Sequence, residues 1–115
     1  MPETNLRQVL QAELITAMKN EDRVTMMVLR SVLGAISNKE AVPAVPTDGE
    51  NPMGNLGYGD VARRELTPQE VKLVLLDEVD ERLNSAGYLR TAGRNDEADR
   101  LEAEAAILER YLYLT

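Results

Sequence analysis

The chain has 115 residues, of which 43% are apolar, and a net charge of −7, which fits one small acidic domain with a core of its own. It contains no cysteine and no histidine, so disulfides, thiolate nucleophiles, imidazole bases and the commonest zinc ligands are excluded. Residues 67–115 carry eleven acidic and six basic side chains, against five of each in residues 1–40, a poor platform for nucleic acid, whose phosphates it would repel.

The chain opens with "MPETNLRQ", which lacks the basic-then-apolar layout of a signal peptide. A first helix is expected from about Asn5 to Lys19. Leu6, Val9, Leu10, Leu14, Ala17 and Met18 recur there at helical spacing, with Thr4 or Asn5 as the cap. "KNED" then breaks the pattern, and Asp22 is placed to cap a second helix over about Arg23–Glu40. This helix is richer in apolar residues, with Val24, Met26, Met27, Val28, Leu29, Val32, Leu33, Ala35 and Ile36 covering more than one face. Such a helix is expected to lie between partners or to form a contact between copies of the chain.

Residues 41–66 hold three of the five prolines and four of the seven glycines. Neither a helical nor a strand period survives there, so the stretch reads as a long flexible loop. Within it, "PAVP" has polyproline character, and "GNLGYGD" only superficially resembles a phosphate-binding loop, having no strand before it and no Lys-Ser/Thr after it.

Thr67-Pro68-Gln69-Glu70 is a capping box with proline at the first helical position. The third helix follows with Val71, Leu75, Val79, Leu83 and Ala86 inward, to about Ala92. Gly87 lies inside it, where a kink or a close contact is expected, and Gly93 is placed to end it in the left-handed conformation. A fourth helix starts near Asn95 or Asp96 and repeats Ala98, Leu101, Ala105, Leu108 and Leu112 at spacings of three and four. So short a connection folds the last two helices into an antiparallel hairpin. The expected fold is all-α, a single domain over residues 1–115: a four-helix array of two hairpins with the long loop between helices 2 and 3.

The chemistry available is narrow. Ser31, Ser37 and Ser85 have no base beside them in sequence. Asp77, Glu78, Asp80 and Glu81 form an acidic run with Lys72 and Arg82 close to Asp77 and Glu81. With Glu97, Glu102, Glu104 and Glu109 on the next helix, that run reads as a solvated face and not as a metal site. In "RTAGRNDEAD" (Arg90 to Asp99), Arg90 precedes the glycine, Arg94 follows it directly and the acids come after, with both arginines assigned to the end of the third helix. These charges complement the facing ends of two helices and disfavour an anion pocket. No catalytic residue, metal or cofactor is expected.

Two segments carry a family resemblance. "AMKNEDRVTMMVLRSVLGAISNKE" (Ala17 to Glu40) and "AGRNDEADRLEAEAAILERYL" (Ala92 to Leu112) resemble, in order and spacing, the YqeY-like proteins of the GatB/YqeY superfamily. The likeness covers about residues 6–40 and 67–112. It implies an all-helical domain and kinship with the tail of the GatB component of the glutamyl/aspartyl-tRNA amidotransferase. That tail helps to hold tRNA, while glutamine-dependent carbon–nitrogen ligation takes place in a separate catalytic domain with no counterpart here. Family members usually continue past tyrosine-leucine-proline into a second small helical domain, whereas this chain reads Tyr111-Leu112-Tyr113 and stops at Thr115. The loop at 41–66 is also longer than the family's usual connection. The expected role is a non-catalytic binding or adaptor domain in the cytoplasm, linked by resemblance to tRNA-dependent amidation. Candidate contacts to tRNA or a protein partner are Lys19, Arg23, Arg30, Arg82, Arg90 and Arg94. Among them Arg30, inside the very apolar second helix, is expected to be partly buried and paired with a carboxylate. The alternative is a self-associating protein–protein module with no RNA role.

Overall fold

The computed structural model describes residues 5–42 and 62–113. Its elements run α1 (Leu6–Lys19), α2 (Arg23–Glu40), β1 (Ala41–Val42), β2 (Ala62–Arg63), α3 (Pro68–Thr91) and α4 (Asn95–Leu112). The fold is all-α, with four helices in two hairpins. An element not expected from the sequence is a two-residue antiparallel ribbon, Ala41 opposite Arg63 and Val42 opposite Ala62. It closes the base of the connection between α2 and α3. The proline- and glycine-rich reading of that connection, including "PAVP" and "GNLGYGD", falls on residues 43–61, outside the described residues, as does the Thr4 alternative for the first cap.

Most helix starts have a local cause. The Asn5 side chain accepts from the Gln8 N–H at 3.1 Å, and Asp22 accepts from the Thr25 N–H at 3.2 Å and from the Thr25 hydroxyl at 2.8 Å. The hydroxyl contact and then the N–H contact hold the Asp22 carboxyl below its ordinary pKa. At α3 the capping box is complete: Thr67 Oγ1 accepts from the Glu70 N–H at 3.1 Å and Glu70 Oε1 from the Thr67 N–H at 2.9 Å. Arg64 also donates to both Glu70 oxygens, at 3.1 and 3.0 Å. Among the four described helices only α4 lacks a side-chain cap, with Arg94 at its N-cap position.

The two hairpin turns share one backbone motif. At the end of α3, Gly93 has φ of +80° and its N–H bonds to the Arg90 carbonyl, while the Arg94 N–H reaches the Leu89 carbonyl at 2.8 Å. This six-to-one and five-to-two pattern is the Schellman motif. The end of α1 repeats it, with Glu21 N–H to Met18 carbonyl and Asp22 N–H to Ala17 carbonyl, but the left-handed position is held by Glu21 at φ of +56°.

The core joins both hairpins. Leu6 and Leu10 of α1 meet Val28, Leu29, Val32 and Ile36 of α2, Val71, Val74, Leu75 and Val79 of α3, and Ala105, Leu108 and Tyr111 of α4. Full burial of each large aliphatic side chain contributes about 1.5–3 kcal/mol. Against expectation, Leu83 and Met18 face solvent. Gly87 makes no close approach, since a Cβ there would meet nothing within 4 Å.

At the junction of the hairpins sits Glu40, only 7% exposed. Its Oε2 accepts from the Arg7 guanidinium of α1 and from the Leu66 N–H at 3.1 Å, and its own carbonyl accepts from the Arg64 N–H at 2.9 Å. The carboxylate therefore ties the start of α1 and the approach to α3 to the end of α2.

Two stability outcomes follow from these geometries. Glu21→Gly relieves a left-handed non-glycine residue and is expected to stabilise the fold by about 0.5–1 kcal/mol, whereas Gly93→Ala costs about 1 kcal/mol. Glu40→Ala orphans both the Arg7 guanidinium and the Leu66 N–H and is expected to cost about 2–3 kcal/mol. The pair Arg7→Met with Glu40→Leu should recover at least half of that loss. Urea midpoints at unchanged slope measure all of these.

Candidate functional site

The six cations singled out in the sequence divide into two groups. Arg82, Arg90 and Arg94 are engaged within the chain. Lys19, Arg23 and Arg30 are exposed, and among the described residues they make no ion pair.

Arg82 lies at the meeting of α2, α3 and α4. Its Nε donates to Glu104 Oε1 at 3.0 Å, and its Nη1 donates to Glu78 Oε1 at 2.9 Å and to the Glu78 carbonyl at 3.0 Å. Nη2 lies 3.4 Å from Ser31 Oγ, which in turn donates to Glu78 Oε1 at 3.3 Å. Burial alone lowers the guanidinium's affinity for its proton, but its hydrogen bonds to Glu78 and Glu104 outweigh it, so its pKa is raised. The pairing expected from the acidic run is corrected here. Arg82 binds Glu78, one helical turn back on its own helix, and Glu104 from the facing helix, and neither Asp77 nor Glu81 is its partner. Glu104, read from sequence as part of a solvated face, is only 6% exposed. With Ser31, Glu81, Ser85 and Leu101, these groups line an open cleft of about 480 Å³.

Arg90 clasps the second hairpin. Its Nη2 donates to Asp99 Oδ1 and to Glu102 Oε1, each at 2.9 Å, and Nη1 lies 3.4 Å from Asn95 Oδ1. The bonds to Asp99 and then Glu102 raise its pKa. Because Arg82 reaches Glu104 while Arg90, further along α3, reaches back to Asp99 and Glu102, α3 and α4 run antiparallel. Arg94 pairs with Glu97. Glu97, Asp99 and Glu102 are thus bound by arginines of their own hairpin; Arg90 lies in the last turn of α3 as expected, whereas Arg94 stands at the N-cap of α4, where a cation does not complement the helix dipole.

Arg30 departs from its expected place. It is exposed, on the side of α2 away from Val28, Leu29, Val32 and Ile36, because the helix turns its core stripe to the other three helices. Lys19 and Arg23 flank the turn that also carries Glu21 and Asp22. Between Asp22 and Glu40, α2 has no acidic residue. With Glu40 buried against Arg7, the solvent side of this helix is cationic although the protein is acidic.

Tyr111 links the ends of the fold. Its hydroxyl lies 3.4 Å from Glu13 Oε1 of α1. Burial first, and then the Glu13 charge, push its pKa up. Nothing in the sequence pairs residues 98 positions apart, so this contact had no local signal. Among the described residues no group of acids has the arrangement of a metal site, and no helix is long and apolar enough to cross a membrane. In comparisons with known proteins, no protein family, no curated protein and no solved structure matches this chain.

The Tyr111 shift has a defined sign. The fold favours the protonated phenol, so its contribution is intact below about pH 10, where an unfolded tyrosine titrates, and is lost as pH rises through the higher folded value. Tyr111→Phe is expected to change stability at neutral pH by no more than about 1 kcal/mol and to flatten the alkaline decline. Denaturant melts at pH 9 and pH 11 compare the two.

Proposed function

We propose that this chain is a non-catalytic helical binding or adaptor domain of the cytoplasm that presents the solvent side of α2 to its partner. The observation that carries this reading is the division of its cations. The ion-pair clusters that join helices, Arg7 with Glu40 and Arg82 with Glu78 and Glu104 in the interior, and Arg90 with Asp99 and Glu102 at the surface, are all occupied in holding the fold together. Ser31 shares this fate, because the carboxylate it reaches, Glu78, is bound by Arg82. Lys19, at the end of α1, and Arg23 and Arg30 of α2 are left to face water, the latter two on a helix free of exposed acids.

The resemblance to the YqeY-like proteins of the GatB/YqeY superfamily gives this surface a candidate partner, tRNA or a protein of tRNA-dependent amidation. Carbon–nitrogen ligase activity with glutamine as amide donor belongs, on this reading, to a partner and not to this chain.

Filter retention of bulk tRNA across a salt series tests the RNA arm. Three phosphate contacts give a log–log salt slope of about −2 to −3, whereas engagement of all six candidate cations would approach about −5. Arg23→Glu with Arg30→Glu is expected to reduce retention at least tenfold, and Arg94→Glu to leave it unchanged. Retention absent at low salt, or indifferent to reversal at Arg23 and Arg30, would remove RNA from the reading.

A further inference from the structure

Packing of the four helices leaves two solvent-facing stripes. On α2, Arg23, Met27, Arg30, Gly34 and Ser37 recur at alternating spacings of four and three, and all are exposed. On α3, Leu73, Leu76, Asp80, Leu83 and Gly87 recur at alternating spacings of three and four, and all are exposed. The three leucines are 58%, 36% and 41% accessible. Alternating three and four places residues in one seam along a helix, the arrangement that packs against another helix. Neither seam is used within the described residues, because the buried residues of α2 and α3 lie on other sides of those helices.

The seams are opposite in charge. The α2 seam carries Arg23 and Arg30 with no acid on its helix between Asp22 and Glu40, whereas the α3 seam carries Asp80 with Asp77 and Glu81 beside it. They are equal in length, each spanning fourteen residue steps, or about 21 Å of helix. Arg30 is the middle residue of one and Asp80 the middle residue of the other. Side by side, the two charges therefore meet whether the helices run parallel or antiparallel. The flanking positions also match in either direction: Gly34 faces Leu83 or Leu76 and leaves room for it, while Met27 faces the other leucine.

We propose that the α2 seam of one copy of this chain docks on the α3 seam of a second copy, with Arg30 against Asp80 at the centre of the contact. The two patches differ, so the contact is heterologous, and every copy carries both halves of it. The acidic leucine seam of α3 repels phosphate, which favours a protein over a nucleic acid as its occupant. This goes beyond the contact surface proposed above and stands whether or not α2 also meets RNA, because the test uses the protein alone.

Sedimentation equilibrium over a micromolar to millimolar range, with melting temperatures as a fold check, is the measurement. The wild-type chain is expected to gain mass with concentration and to lose that gain at high salt. Arg30→Asp and Asp80→Arg should each weaken association at least tenfold, and the two together should restore it. Leu76→Ser with Leu83→Ser should also abolish it. A strict monomer at millimolar concentration overturns the proposal, as does association that survives both single reversals. So does a monomer in which Arg30→Asp changes only tRNA retention, which would assign the α2 seam to nucleic acid.

Discussion

The carboxylate of Glu40 is shared by three segments of the chain: its own helix, the start of α1 and the approach to α3. A buried carboxylate loses several kcal/mol of hydration, and here the Arg7 guanidinium and the Leu66 N–H offset that loss. Hydrophobic packing is non-directional and would accept a range of angles between two hairpins of leucine and valine. A shared charge with fixed donors accepts few. Leu66, held by its own N–H, then enters the core beside Val71, and the capping box at Thr67 starts α3 directly behind it. One carboxylate oxygen thus adds a directional tie to the core packing that joins the two hairpins. Arg82 performs the corresponding task further along, joining α3 to α4 and touching α2 through Ser31.

The same arrangement partitions the surface. Arginine suits such positions because its planar, multiply donating head can satisfy carboxylates from two directions at once, as Arg82 and Arg90 do. Arg7 and Arg82 are spent on buried or half-buried acids, while Arg90 offsets two exposed ones. This leaves α2, whose single interior acid is neutralised, as the cationic side. An acidic protein with one cationic helix has a built-in orientation in the field of any charged partner, and both proposals draw on that polarity.

Much of this fold was legible in the sequence. Asn5, Asp22 and Thr67 announce helix starts through their own side chains, Gly93 announces a stop, and the aliphatic spacings of α1, α2 and α4 mark most of the buried faces. These signals are local, since each depends on residues within one or two helical turns. What could not be read depends on distance along the chain. Glu40 and Arg7 are 33 residues apart and Arg82 and Glu104 are 22 apart, so nothing in the sequence around Glu104 separates it from its neighbours Glu102 and Glu109. Arg30 was misplaced for the complementary reason. A helix apolar on more than one face does not disclose which of its sides faces water. Glu21 shows a third limit, since the turn geometry that usually selects glycine was satisfied by a residue that gives no hint of it.

The two-residue ribbon at Ala41–Val42 and Ala62–Arg63 has a consequence for how this scaffold could be altered. Paired strands lie about 5 Å apart, so Val42 and Ala62 lie side by side although they are far apart along the chain. Any polypeptide whose own ends lie close together meets that boundary condition. A compact foreign domain grafted between Val42 and Ala62 would hang from the body as a pendant and leave the helical register intact. The ribbon thus makes this small helical array a natural carrier, with a socket between its two hairpins.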